Sequence, residues 1–209
     1  MAAARTQIPY RSQYASPELA GELQSGRLAY EDDPRWQEFG ARTPAEYRRW
    51  ARCGCGMACL QMILGARGEA QIAPIAALGR SAIPYGAYEA EPAAGFGPLI
   101  YDGFVAFADA EFGLRARVVA PLPLEELAAA VSGEEVVIAS VSAEIRALAP
   151  HPARRGGHLV LVHDFAGGRL RFHDPAGDTA GSSASVRLDL AQFERFYAGR
   201  GIAVALPRA

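Results

Sequence analysis

The spacing of apolar residues changes along the chain, from a helical period before residue 113 to short strand-like runs after it. In the first part apolar positions recur three and four residues apart, which predicts helices at residues 55–64, 72–78 and 99–112. In the second part strands are predicted at residues 116–119, 135–141, 158–165, 170–173 and 202–206, with helices at residues 123–131 and 188–197. Helices followed by strands along one chain predict an α+β fold.

One further helix has a readable start. Thr43 suits the N-cap, Pro44 the first helical position and Glu46 the third, so a helix is predicted from there to about Trp50. Segments rich in Pro and Gly predict loops at residues 81–98 and 148–157.

Length and charge narrow the class of protein. The 209 residues suit a single domain, half of them are apolar, and the net charge is -2. Such a balance predicts no binding of nucleic acid and no electrostatic attachment to a membrane surface. No apolar run approaches the roughly 20 residues that cross a bilayer, and residues 1–7 lack the apolar stretch of a secretory signal. We therefore expect a cytoplasmic protein.

The three cysteines lie within one short segment, at Cys53, Cys55 and Cys59. An odd, clustered set in a reducing compartment indicates catalysis, metal binding or core packing rather than a disulfide framework. Cys55 stands where Gly54 and Gly56 give way to the helical stripe, and a helix N-terminus favours a thiolate. We predict Cys55 as a nucleophile whose own N–H helps to bind an oxyanion, with the two glycines leaving room for substrate. Cys59 is predicted to be core, and Cys53 to be a second thiol at most.

The base should be a histidine on a rigid element. His158 opens an apolar strand directly after Gly157, which we expect to contact substrate. If residues 166–168 form a three-residue hairpin loop, Asp174 lies across from Val160, diagonal to His158 and within reach of it. A two-residue loop would place Asp174 on the opposite face of the sheet. The other histidines are predicted to be structural or solvated: His151, His163 and His173.

Three short motifs follow one another along the chain, around Cys55, His158 and Asp174. Residues 55–64 read Cys-Gly-Met-Ala-Cys-Leu-Gln-Met-Ile-Leu, residues 157–162 form the histidine strand, and residues 173–176 read His-Asp-Pro-Ala. In this order they resemble the motifs of the bacteriocin-processing peptidases, papain-like cysteine peptidases that cut after a double-glycine leader. The family has Pro where this chain has Met57. The resemblance implies a papain-like fold, in which the nucleophile helix packs on a mostly antiparallel sheet, and a Cys55–His158–Asp174 triad.

A fourth stretch concerns the oxyanion. Residues 8–13, Ile-Pro-Tyr-Arg-Ser-Gln, are similar to the family segment whose Gln donates to the oxyanion, which implies this role for Gln13. In the family that Gln lies a few residues before the Cys, whereas residues 14–54 intervene here. The difference implies an insertion, residues 15–50, near the cleft of a single domain that covers residues 1–209. Gln37, within the insertion, is the alternative donor.

Three functions stay open from the sequence. The first is a peptidase or amidase that forms an acyl-enzyme on Cys55 and acts on a peptide or peptide-like substrate, with neither metal nor cofactor. The second is an acyltransferase or cyclase that uses the same triad on a peptide or carrier-bound substrate. The third is not an enzyme, but a catalytically inactive binding module or a zinc site of the clustered cysteines, whose spacing departs from the usual Cys-x-x-Cys pairs.

Overall fold

Six antiparallel strands form one sheet, and most helices precede it along the chain. The computed structural model describes residues 7–92 and 95–206, so the expectations for residues 1–6 and for Ala93 and Ala94 of the predicted loop lie outside the described residues. The helices are α1 (Ala20–Ser25), α2 (Pro44–Cys53), α3 (Cys55–Ala66), α4 (Ile75–Ala82), α5 (Tyr101–Phe112), α6 (Leu124–Ser132) and α7 (Leu190–Glu194). The strands are β1 (Ala116–Val119), β2 (Glu135–Val141), β3 (His158–Ala166), β4 (Arg169–His173), β5 (Val186–Asp189) and β6 (Tyr197–Ala205), in the sheet order β1-β6-β2-β3-β4-β5. The α+β prediction is confirmed.

The two faces of the sheet carry separate cores. On one face α3 packs against apolar side chains of the central strands, which include Ile138, Leu159 and Leu161. On the other face α6 covers β2 and β3, and Val137 and Val160 face a second cluster. The alternation of inward side chains along β2 and β3 therefore fixes α3 against the middle of the sheet.

Most predicted elements are present, but the last predicted helix is shorter than expected and the strand before it was missed. A helix was expected over residues 188–197, whereas Val186–Asp189 forms β5 at the sheet edge and pairs with β4. Asp189 then starts the five-residue helix α7 through a capping box with Gln192, and β6 begins soon after it, at Tyr197. Pairing with β4 thus takes residues that the local apolar spacing assigns to a helix.

The start of α2 follows the prediction. The Thr43 hydroxyl accepts a hydrogen bond from the Glu46 N–H at 3.1 Å, and Pro44 occupies the first turn. The helix continues beyond Trp50 to Cys53, directly before the candidate nucleophile.

Removing this cap should weaken the protein measurably. We expect Thr43→Ala to lower the free energy of unfolding by about 1 kcal/mol, because the Glu46 N–H loses its acceptor. Thr43→Ser keeps the hydroxyl and serves as the control. Urea denaturation of the three proteins checks this, and equal midpoints for all of them would contradict a capping role.

The β3–β4 hairpin differs from its prediction at two places, and their effects on the pairing register cancel. Its loop has two residues, Gly167 and Gly168, with φ of +59° and +75°, as a type I′ turn requires, and not three. The register then shifts between Val162 and Asp164, so that His163 is an extra residue in β3. The bulge reverses the parity that the short loop introduces.

Candidate active site

Cys55 is the first residue of α3, and Gly54 separates that helix from α2. A β-carbon at Gly54 would approach the Trp50 carbonyl oxygen to 2.5 Å and the Ile75 side chain to 2.8 Å, so only glycine fits between the two helices. The thiol therefore lies beside the unpaired N–H groups of the first turn of α3, which favour a negative charge.

His158 and Asp174 form a buried pair. His158 Nε2 lies 2.7 Å from Asp174 Oδ1, which also accepts a hydrogen bond from the Ala176 N–H at 2.8 Å. The other ring nitrogen, Nδ1, is left for Cys55, which lines the same cleft and helps to raise the pKa of the imidazole. The structure thus brings together the cysteine, histidine and aspartate that were predicted from the sequence.

Burial and charge act in opposite directions on His158. Burial by itself lowers the pKa of the imidazole, since it penalises the charged form. The Asp174 carboxylate, its hydrogen bond and the contact with Cys55 outweigh burial and raise the pKa to about 9. The raised pKa favours the protonated ring at neutral pH.

The other two cysteines have a different environment. Burial raises the pKa of Cys53 to about 12 and that of Cys59 well above its usual range, and the nearby Cys55 adds to both effects. Both side chains stay thiols at neutral pH. Among the described residues, no group of three His, Cys, Asp or Glu side chains is placed to hold a metal ion.

Arg146, which the sequence reasoning missed, completes the environment of Asp174. Asp174 Oδ2 is buried and accepts no hydrogen bond from the described residues, and Arg146 Nε lies 4.0 Å from it. The guanidinium is held by the Gln24 side chain and by the Ala176 carbonyl oxygen, to which its Nη1 donates at 3.2 Å. Arg146 thus adds a second positive charge, besides His158, next to the Asp174 carboxylate.

We expect Arg146→Met to lower kcat about tenfold, because the carboxylate that orients His158 would lose a neighbouring positive charge. Arg146→Lys should recover part of this loss, since it restores the charge without the fork of donors. Arg48, paired at 3.2 Å with Glu31 on the exposed surface, provides the control Arg48→Met. Equal kcat for the Met and Lys variants of Arg146 and for the control would contradict a positioning role.

A cleft of about 540 Å³ opens at the thiol and the imidazole. Its apolar wall comes from the segment before α5 and from the start of that helix, with Phe96, Leu99 and Tyr101. The opposite wall comes from the sheet and from the loop before β3, with Ser140 and Gly157. Gly157 has a φ of +93° and lines the cleft, where it was expected.

Gly54 and Gly56 serve packing instead of substrate approach. A β-carbon at Gly56 would approach Leu99 to 2.7 Å and Leu159 to 3.3 Å, so protein already fills that space, as it does at Gly54. Neither glycine lines the cleft. The expectation that both leave room for substrate is corrected accordingly.

The predicted insertion, residues 15–50, contacts the segment that carries Asp174. None of residues 15–50 lines the cleft. Instead, Gln24 of α1 donates to the Ala176 carbonyl oxygen at 2.7 Å, behind Asp174. Asp33 ties this segment together, since its buried carboxylate accepts from Ser16 and Tyr47. Through Gln24 this segment therefore supports the residues next to Asp174, and its place as an insertion near the cleft stays a prediction.

Gln13 is buried between the end of α2 and the segment after β4. Its Nε2 donates to the Ala51 carbonyl oxygen at 2.8 Å, and its backbone N–H donates to the Pro175 carbonyl oxygen at 2.8 Å. A carboxamide has two N–H donors, so one of them is left for another acceptor. The alternative donor, Gln37, lies in a short 3-10 helix, Trp36–Phe39, and neither glutamine lines the cleft. The oxyanion role of Gln13 stays a prediction.

Comparison with known proteins adds the class of fold. No family model matches the sequence, and no curated protein matches it. The peptidase domain of Streptococcus ComA, a bifunctional ABC transporter involved in quorum sensing, superposes with a TM-score of 0.50 and 16% identity, over 73% of this chain and 91% of that domain. A putative C39-like peptidase from Bacillus anthracis gives a TM-score of 0.49 and 15% identity, over 75% of this chain and 90% of its own.

The likeness to the ComA peptidase domain confirms the predicted α+β, papain-like fold and, at the level of fold, the resemblance to the bacteriocin-processing peptidases. In the part of the chain that the structure describes, no helix is both long and apolar enough to cross a membrane.

Proposed function

We propose that this protein is a cysteine peptidase or amidase that forms an acyl-enzyme on Cys55. The observation that carries the proposal is that Cys55 and His158 line one cleft, while the His158 imidazole is hydrogen-bonded to the buried Asp174 carboxylate. Nucleophile, base and orienting acid are the parts that nucleophilic catalysis requires. The shared fold with a peptidase domain supports the same class of reaction.

In the first half of the reaction, His158 holds the proton that the Cys55 thiol has given up, and the thiolate attacks the amide carbon. The new C–S bond forms as the C=O π electrons move to oxygen, and the Cys55 N–H and the free Gln13 N–H stabilise that oxygen. The oxyanion then collapses, the C–N bond breaks, and the leaving amine takes the proton from His158. A thioester on Cys55 remains.

In the second half, His158 removes a proton from water, which attacks the thioester carbon. The C–S bond breaks, the carboxylic acid leaves, and the proton returns to the thiol. An amine in place of water would give acyl transfer or cyclisation through the same thioester. Product analysis with and without an added amine separates these outcomes.

The peptide-like substrate and the cytoplasmic location, with neither nucleic acid nor membrane as partner, are also proposals and rest on the sequence.

Selective alkylation tests the proposed nucleophile without a known substrate. We expect iodoacetamide at neutral pH to label Cys55 much faster than Cys53 or Cys59, because only Cys55 has an imidazolium partner. His158→Ala should slow the labelling of Cys55 strongly, while Cys53 and Cys59 label slowly in both proteins. Mass spectrometry of peptides after a short exposure measures each site. Equal labelling of all three cysteines in both proteins would refute the proposal.

A further inference from the structure

Three arginines line the cleft, and they come from both of its walls. Arg52 lies in the last turn of α2, three residues before the nucleophile. Arg154 belongs to the loop before β3, and Arg200 to β6. All three residues are exposed. The site of attack therefore lies between positive charges on the helical side and on the sheet side.

No carboxylate balances these charges. The residues that line the cleft include neither Asp nor Glu. Among the described residues, the ion pairs involve other arginines, and none of the three takes part in one. The whole chain has 21 basic and 23 acidic residues, so this concentration of positive charge is local. A cleft lined by one sign of charge concentrates ligands of the opposite sign.

The surroundings of the three arginines leave their charges unpaired. The Arg52 guanidinium stacks on the Phe96 ring at 3.8 Å from its centroid. Arg154 lies against Gly157, where a β-carbon would be 3.1 Å from its Nη2, and Arg200 Nη2 would be 3.5 Å from a β-carbon at Gly156. The two glycines have φ of +89° and +93°, a conformation that favours glycine. Their lack of side chains lets the guanidinium groups approach the backbone beside His158.

We infer that the substrates are acidic peptides, with Asp or Glu side chains on both sides of the bond that Cys55 attacks. Guanidinium groups bind carboxylates through paired, charge-assisted hydrogen bonds, and arginines on both walls suit acidic residues that flank the bond. A peptide fits better than another polyanion because the thiolate needs an acyl carbon. That a peptide bond is broken rests on the proposed peptidase function. That the ligand is anionic rests on the arginines alone.

A pair of alkylating reagents tests the charge preference apart from any turnover. Iodoacetate and iodoacetamide transfer similar groups, but only iodoacetate is anionic. We expect the rate of iodoacetate at Cys55, divided by that of iodoacetamide, to fall on the order of tenfold in the Arg52→Gln/Arg154→Gln/Arg200→Gln variant. This is the scale of effect expected when a charged cleft concentrates an anionic ligand. High salt should lower the ratio in the unaltered protein only. His158 is the same in both proteins, so its charge does not affect the comparison.

The matched control is Arg169→Gln. Arg169 is exposed and lies at the hairpin end of β4, roughly 25 Å from the start of β3 at the strand rise per residue. The ratio should keep its original value in this variant. An unchanged ratio in the triple variant, or an equal fall in the control, would overturn the inference.

Peptide pools then connect the charge preference to the reaction. One pool contains Asp and Glu at positions where a second pool contains Asn and Gln, and mass spectrometry detects the cleaved products. Faster cleavage of the acidic pool, lost in the triple variant, supports the inference. Equal cleavage of both pools overturns it but leaves the peptidase proposal intact. No cleavage of either pool, together with an arginine-dependent alkylation ratio, would remove the peptidase function and keep the anionic ligand.

Discussion

Cys55→Ala should reduce peptide cleavage by about 10⁴-fold or more, the scale of effect seen when an enzyme loses its nucleophile. Without the sulfur no thioester forms, and the rest of the cleft accelerates the direct attack of water only weakly. The substitution should not disturb the fold, because alanine is the best helix former and Cys55 is only half-buried at the start of α3. Cleavage products from the peptide pools, quantified over time, give the rate.

The neighbouring cysteines supply the controls for this result. Cys53 lines the same cleft, but burial raises its pKa to about 12, so it carries no thiolate at neutral pH and Cys53→Ala should retain activity. Cys59 is fully buried, so Cys59→Ala should cost about 1 kcal/mol of stability and little turnover. Loss of cleavage in Cys53→Ala together with retention in Cys55→Ala would show that Cys55 is not the nucleophile.

Asp174→Asn should lower kcat by between about 10² and 10⁴, because the imidazole loses both its orientation and the charge that stabilises its protonated form. The pH profile should change as well. In the unaltered protein kcat/KM should fall as pH rises through about 9, where His158 loses the proton that the leaving amine needs. Without the negative charge of Asp174 the pKa of His158 is lower, so this alkaline limb should move to lower pH. Asp178→Asn, an exposed change in the same loop, should leave the limb in place.

Stability should follow the same pair of charges. The pKa of His158 is raised from 6.5 in the unfolded chain to about 9 in the folded protein. Its contribution to stability is therefore fully present below pH 6.5 and is lost as pH rises through 9. Urea denaturation on both sides of this window should show a loss of stability that Asp174→Asn largely removes. An identical pH dependence in both proteins would contradict the ion pair.

The sequence predicts the site best where the information is local. The glycines and the apolar stripe around Cys55 define the start of α3, and His158 begins its strand at the predicted residue. Thr43 and Glu46 likewise form their local contact. Each of these features depends on residues within about one helical turn or one strand, which is the range over which capping and periodicity act.

Features made by distant segments were not predictable in this way. Arg146 and Gln24 are 122 positions apart, and they meet only because α1 packs behind the end of β4. The convergence of Arg52, Arg154 and Arg200 on one cleft depends equally on the folded sheet. The one indication in the sequence was the position of two of these arginines, since Arg52 lies three residues before Cys55 and Arg154 four residues before His158. No spacing rule links these residues, because their contacts arise from tertiary packing.

The paired irregularities of the β3–β4 hairpin bear on how related sequences should be aligned. A chain that lacked the His163 bulge but had one more residue in the turn would present the same His158–Asp174 pair, with the same number of residues between them. A chain with only one of these changes would carry its acid on the wrong face. An alignment of related sequences should therefore allow two compensating gaps, one within the strand and one at the turn. A gap-free comparison across this hairpin would align side chains from opposite faces between the two gaps while matching the catalytic pair correctly.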